Sequence, residues 1–279
     1  MLRIAHLSDI HFGGENAEAI AAVSHYLRQA PPDLVVVTGD LTASGTSQEF
    51  DQARQWVAEL GLPVLTTPGN HDTPYFNIAL RLFWPFRRFE ARFGAPDGVV
   101  WRGKDASVFA VNTARGAQWR LNWSKGAIAR SQIDAAVAAF AEGPQDAFAI
   151  VACHHPLVEM VGGPMSGRVR GGADAAHRLC EAGVDLILSG HVHVPFVWPF
   201  PWGDGRTHAA GAGTLSRRER GVPAGFNLVE VAGREVTIAA KAWSGRGFST
   251  WRTWSWKRPQ AAAATERSTP STIIVHKGP

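Results

Sequence analysis

Five stretches of this chain run through apolar residues and then end on groups that bind metals. They are Asp9-x-His11, Gly39-Asp40, Gly69-Asn70-His71-Asp72, His154-His155 and Gly190-His191-x-His193. Each follows a run that reads as a buried β-strand. A buried carboxylate or imidazole is costly unless something pairs with it. Open α/β sheets gather ligands outside the carboxyl ends of their strands. Five such ends therefore call for strands laid side by side, with their termini converging on one place.

The rest of the chain fits that demand. Arg3 to Ser8, Asp33 to Thr38 (DLVVVT) and Pro63 to Thr67 read as strands. The β-branched run of the second requires burial on both faces. Between them, Glu15 to Gln29 and Ser47 to Leu60 read as amphipathic helices, with Thr46 or Ser47 available as the cap of the second. This βαβαβ order predicts an α/β fold with a parallel sheet covered by helices. Residues 74–95 break the order. The stretch is aromatic and basic, and Pro85 splits it into two short helical pieces. It is either a cap over the site or an excursion that packs into the core.

Further on, 99–102 and 106–112 read as hairpin strands, Ala129 to Phe140 as a helix, and Ala147 to Ala152 as a strand ending at Cys153-His154-His155. A glycine-rich loop over 161–172 precedes a helix from Ala173 to Glu181. A strand over 184–188 leads to the Gly190 segment. After that the chain reads as all-β, through 194–198, 207–211, 225–231, 234–241 and 248–256. Parallel strands followed by antiparallel ones imply two sheets face to face with helices outside. One domain over 1–258 and a disordered tail over 259–279, rich in Ala, Ser, Thr and Pro, are the expected organisation.

Bulk properties narrow the function. No apolar run approaches the roughly 18 residues of a membrane span. Met1 leads straight into a strand and a candidate ligand, which sets a cytoplasmic location as the expectation. Cys153 and Cys180 have no CxxC spacing and read as buried small hydrophobes. A net charge of +4 suits anionic substrates and is too small to argue for a nucleic-acid polymer. Of the tight basic clusters, Arg87-Arg88 reads as solvated charge. Arg217-Arg218-x-Arg220 sits by a glycine-rich turn and is placed to face the mouth of the site.

The chemistry of the five segments is that of a paired metal centre. Asp9-x-His11 follows the first strand, and in an extended segment side chains two apart point the same way, so both reach one ion. Gly190-His191-x-His193 repeats that spacing with imidazoles. Gly39 allows a sharp turn, and Asp40 can offer one oxygen to each of two ions. Asn70 supplies a neutral amide oxygen. A set of oxygens and nitrogens without thiolate suits Mn²⁺, Fe²⁺/³⁺ or Zn²⁺.

The order D-x-H, G-D, G-N-H-D, H, G-H-x-H resembles the calcineurin-like metallophosphoesterase superfamily over roughly residues 1–240. The spacing is most similar to the bacterial class III cyclic-nucleotide phosphodiesterase and glycerophosphodiesterase group. That resemblance implies a four-layer αββα sandwich of two mixed β-sheets. It implies that Asp9, His11, Asp40 and His193 bind one ion, that Asp40, Asn70, His154 and His191 bind the other, and that Asp40 bridges them. His155 then stands behind the ligand His154 or faces substrate. A metal-bridging hydroxide would attack a small phosphodiester, and His71 would protonate the leaving group. Asp72 is expected to orient His71 through a hydrogen bond.

The substrate is less legible. Aromatic residues flank the motifs at 75–93 and 195–202, and six of the eleven tryptophans lie between 198 and 256. Such a rim could stack a nucleobase, seat lipid at a membrane surface, or pack internally. A lipid-precursor phosphoesterase or pyrophosphatase at the membrane face is therefore a second reading. The lipid enzyme of the superfamily that cleaves UDP-2,3-diacylglucosamine usually has Arg where this chain has His71, which weighs against it. A non-catalytic metal-binding module is a third. Peripheral membrane contact and oligomeric state are left open.

Overall fold

The computed structural model describes residues 1–119, 122–144, 146–159, 169–200 and 205–259. The chain begins as its pattern requires: β1 (Leu2–Leu7), α1 (Ala17–Gln29), β2 (Leu34–Thr38), α2 (Ser47–Leu60) and β3 (Val64–Thr67). β1, β2 and β3 pair in parallel. The Asn16 side chain accepts from Ala19 N–H, so α1 starts two residues inside the Ala-rich run. Thr46, not Ser47, caps α2, through a reciprocal capping box with Glu49.

α3 (Ile78–Phe83) and α4 (Arg87–Phe93) follow, separated at Pro85. Then come β4 (Val100–Arg102), β5 (Ala106–Val111), α5 (Arg130–Ala141), β6 (Phe148–Cys153), α6 (Gly172–Glu181), β7 (Leu186–Ser189), β8 (Phe196–Pro199), β9 (His208–Gly211), β10 (Gly225–Ala232), β11 (Glu235–Trp243) and β12 (Phe248–Lys257).

Two six-stranded mixed sheets result, in the orders β12-β11-β10-β1-β2-β3 and β4-β5-β6-β7-β9-β8. Strand alternation sorts their side chains into three cores. Ala5, Leu7, Val35 and Val37 meet Ile20, Val23 and Leu27 of α1 and Phe50 and Trp56 of α2. On the opposite face, Ile4, Leu34 and Val36 meet Val108, Ile150 and Leu188 of the second sheet. That sheet turns Phe109, Val151 and Ile187 toward Ile133 of α5 and Leu179 of α6. Helix, sheet, sheet and helix are stacked as four layers. All five residues of β2 are buried because both of its faces are covered.

The late antiparallel strands do not form a sheet of their own. β10 pairs with β1 and carries β11 and β12 onto the first sheet, while β9 pairs in parallel with β7 and brings β8 to the second. Arg258, just past β12, donates to Asp185 Oδ1 at 2.7 Å and to Asp146 O, tying the end of the first sheet back to the second.

The 74–95 segment divides in two. Phe89 is fully buried, and Phe86 and Phe93 pack on the first core. By contrast Tyr75, Phe76, Ile78, Leu82, Phe83 and Trp84 are exposed, which overturns core packing for that half. In β8 and just after it the aromatics alternate: Phe196 and Phe200 are buried and Trp198 is exposed. Cys153 is buried as expected, and Cys180 is only partly so. Most of the 161–172 loop, residues 201–204 and the tail beyond Pro259 lie outside the described residues. Among the described residues no helix is long and apolar enough to cross a membrane.

Candidate metal centre

The five loops behind β1, β2, β3, β6 and β7 meet at one end of the two sheets. Backbone bonds lace them: Asp9 N–H donates to Gly39 O, His11 N–H to Asp40 O, and Gly190 N–H to His154 O. The route to convergence differs from the extended one read from the spacing. Asp9, His11, Asp40, His191 and His193 all have left-handed backbones, with φ between 52° and 68°. Among the described residues only Asp146 joins them as a non-glycine in that region. Each such residue costs roughly 1–3 kcal/mol, and such strain concentrates at functional sites. The two-apart pairs converge because the chain curls between them. Glycines permit the crowding: Gly39 has φ +84°, and a Cβ on Gly190 would stand 1.7 Å from Ser8 Oγ.

Side-chain donors then fall at coordination spacing. His193 Nε2 lies 3.0 Å from Asp9 Oδ1 and 3.4 Å from His11 Nε2. His154 Nε2 lies 3.3 Å from Asp40 Oδ2 and 3.2 Å from Asn70 Oδ1. His11 Nε2 is 3.8 Å from both Asp9 Oδ1 and Asp40 Oδ2. Donors bound about 2.1 Å from one ion stand roughly 3–3.5 Å apart, so this spacing fits shared cations. Donor atoms of His11, Asp40 and His71, and those of Asp9, Asp40 and His154, lie within 4.8 Å of one another, which puts Asp40 between neighbouring groups. His191 clusters with His154 and His155 on the far side.

Outer contacts aim these donors inward. His154 Nδ1 donates to Thr38 O at 2.8 Å and His193 Nδ1 to Arg218 O at 2.7 Å, so both present Nε2 to the cluster. Asp9 Oδ2 accepts from Ser8 Oγ and His191 N–H, and its buried Oδ1 takes no hydrogen bond. Asp40 Oδ1 accepts from His71 N–H, leaving Oδ2 toward the imidazoles. Lone pairs of Asp40 Oδ2, His154 Nε2 and Asn70 Oδ1 cannot face one another unaided. A proton or a cation must stand among them.

The electrostatics agree. Burial disfavours the ionised forms of Asp9 and Asp40, but the imidazoles of His193 and His154 outweigh it and hold both below the usual carboxylate range. Burial also opposes a charged His154, yet Asp40 raises it to about 9, and Asp9 likewise raises His193. Burial lowers His11 and His191 to about 4, which keeps them neutral donors. Both upward shifts, at His154 and His193, mark positions where the surrounding carboxylates favour positive charge.

His71 donates from Nδ1 to Ala43 O at 2.7 Å, and its Nε2 accepts from Arg218 Nη1 at 3.1 Å. The expected bond from Asp72 is not made. Both Asp72 oxygens are taken by the N–H groups of Leu41, Thr42 and Gly69 and by Thr42 Oγ1, so this residue staples the β3 loop to the β2 loop. Burial and the charge of Asp40 push it up to about 6. His155 stands behind His154: its Nε2 donates to Ser124 O and its Nδ1 faces Thr113 Oγ1, which leaves it no lone pair for an ion. Arg218 reaches the site, as the basic cluster suggested. Ser8, the Ala43 carbonyl and Trp123 also contribute, and no local pattern marks them.

The family model described as calcineurin-like phosphoesterase matches residues 2–195. A probable cyclic nucleotide phosphodiesterase from Synechococcus sp. is 37% identical over 82 residues, covering 26% of this chain and 32% of that protein. A glycerophosphodiester phosphodiesterase from Enterobacter lignolyticus is also 37% identical over 82 residues, covering 25% of this chain and 29% of that protein. The matched segment thus spans about a third of these curated relatives. A dimetal phosphatase from Danio rerio superposes with a TM-score of 0.68 at 11% identity, covering 92% of this chain and 99% of that one. A purple acid phosphatase from yellow lupin (Lupinus luteus) gives 0.65 at 14% identity, covering 99% of this chain and 57% of the other. These two share the fold.

Proposed function

Since the chain belongs to the calcineurin-like phosphoesterase family, we propose that it is a dinuclear-metal phosphodiesterase acting on a small diester of cyclic-nucleotide or glycerophosphodiester type. The observation that carries this reading is Asp40. Its free oxygen lies between imidazoles of two donor groups, a position suited to a carboxylate shared by two ions. In this reading Asp9, His11 and His193 complete one group, and Asn70, His154 and His191 the other. The oxygen and nitrogen donors favour Mn, Fe or Zn. When bound, such ions polarise a phosphoryl oxygen and make water acidic enough to attack near neutral pH.

The chain's own residues supply the rest. Ala43 O holds the Nδ1 proton of His71, so Nε2 is the nitrogen free to take up and give a proton. Arg218, exposed and 3.1 Å from that atom, binds a non-bridging phosphoryl oxygen and releases Nε2 as it does so. Water oxygen bonds to phosphorus and the P–O bond to the alcohol breaks. Nε2, once released, takes a proton from solvent and passes it to the leaving alcohol, while the proton lost by the attacking water returns to solvent. Names of the partial relatives support the diester class. The site of action in this reading is the cytoplasm.

Mn²⁺-loaded protein should turn over bis(p-nitrophenyl) phosphate faster than p-nitrophenyl phosphate. Faster hydrolysis of the monoester would overturn the diesterase assignment. A second reading, a lipid phosphoesterase at a membrane face, draws on the exposed aromatic run at 75–84. Co-sedimentation with anionic liposomes would favour it, and protein left wholly in the supernatant would count against it.

A further inference from the structure

A cavity of about 600 Å³ opens beside the cluster, and His71, Tyr75, Ile78, Arg81, Asn122 and Trp123 are among its walls. Arg81 is the unusual member. It is 8% exposed, and its Nε is fixed by Gly116 O at 2.8 Å. Its guanidinium carbon lies 5.5 Å from the Trp123 ring, a cation–π contact that fixes the plane of the fork. Several other arginines have carboxylates: Arg206 and Arg258 share Asp185, and Arg92 takes Asp51. No carboxylate among the described residues pairs with Arg81. A largely desolvated cation without a counter-charge is unfavourable. Its planar fork matches an oxyanion.

We propose that this cavity receives the leaving group, and that Arg81 pairs with a single negative charge carried on it, a carboxylate or a phosphodiester. The inference rests on the phosphodiesterase reading, since a group that His71 protonates must lie against the wall His71 forms. One charge is argued because, His71 apart, Arg81 is the only ionic residue among the described residues of the cavity walls. Tyr75 and Trp123 flank the space with aromatic faces, which suits a flat leaving group.

The test compares methyl 3-carboxyphenyl phosphate with methyl 3-carbamoylphenyl phosphate on the Mn²⁺-loaded enzyme. They are near-isosteric and differ in the charge of the leaving group. A kcat/KM ratio of about tenfold or more for the carboxylate is expected, the value of one charge-assisted hydrogen bond. In Arg81→Gln the ratio should collapse to near one. Equal wild-type rates would overturn the proposal while leaving the diesterase reading intact. That comparison needs no variant, so misfolding of Arg81→Gln would not rescue the idea. If neither ester is hydrolysed, the diesterase reading fails, and binding decides the fate of Arg81. Ligand-observed NMR with 3-hydroxybenzoate, 3-hydroxyphenyl methyl phosphate and neutral 3-hydroxybenzamide should show transfer to either anion, lost in Arg81→Gln. Anion binding that survives the substitution, or none at all, overturns it. The tighter anion identifies the source of the charge.

Discussion

Asp40 and His71 sit side by side and should fail in different ways. Removing the Asp40 carboxylate takes away the oxygen facing His11 and His154, and also the acceptor of His71 N–H. Asp40→Ala should therefore lose both ions, read as metal per chain after dialysis. Retention of a full complement would refute a shared ligand. His71→Ala should keep the metal but slow diester turnover by about 10²–10⁴-fold, the usual worth of a positioned general acid. Turnover equal to wild type would remove His71 from the chemistry. Which residue types gather at the site was readable from the five segments. Their backbone state was not. Asp9-x-His11 looks like extended chain, yet both residues are left-handed. Nothing in two side chains two residues apart says that the strand has already ended.

The loops after β2 and β3 behave as one element because Asp72 joins them. Replacing it with alanine strands buried N–H groups of Leu41, Thr42 and Gly69. Asp72→Ala should cost about 2–4 kcal/mol, since each unmet buried donor is expensive. Urea unfolding of the metal-free protein would measure it, and a change under 0.5 kcal/mol would argue against the staple. Adjacency in sequence misled here: Asp72 follows His71, but its carboxylate turns to the other loop. Elements themselves were legible. Their period, the Thr46-x-x-Glu49 box and the Pro85 break are local properties, and local hydrogen bonding fixed them. The exposed face of residues 75–84 was not legible, because an aromatic run reads the same whether a neighbour covers it or not.

Across the whole molecule, a buried histidine links stability to acid. His6 lies fully buried in β1 on the strand face shared with Ile4, against the second sheet. Its Nε2 faces Thr38 Oγ1 and its Nδ1 faces Asn227 Nδ2, at 3.0 and 3.4 Å. Burial pushes it down to about 3 from 6.5. The unfolded chain thus binds a proton below pH 6.5 that the fold refuses, so stability falls as pH drops from 6.5 toward 3. The loss is about 2 kcal/mol by pH 5. His6→Gln should make that limb shallower by about 2 kcal/mol between pH 7 and 5 in unfolding curves; an unchanged slope would discharge His6 from it. At this scale the division of information is clear. Sequence alone determined the strands, the helices, the two-sheet α/β architecture and the kinds of donor at each strand end, because these follow from periodicity and from residue chemistry. Only the tertiary structure decided that β10 crosses to β1, that Arg218 meets His71, and that Arg81 lies against Trp123 with no carboxylate partner among the described residues. Such contacts join residues far apart in the chain. Packing selects them, and no local pattern records the choice.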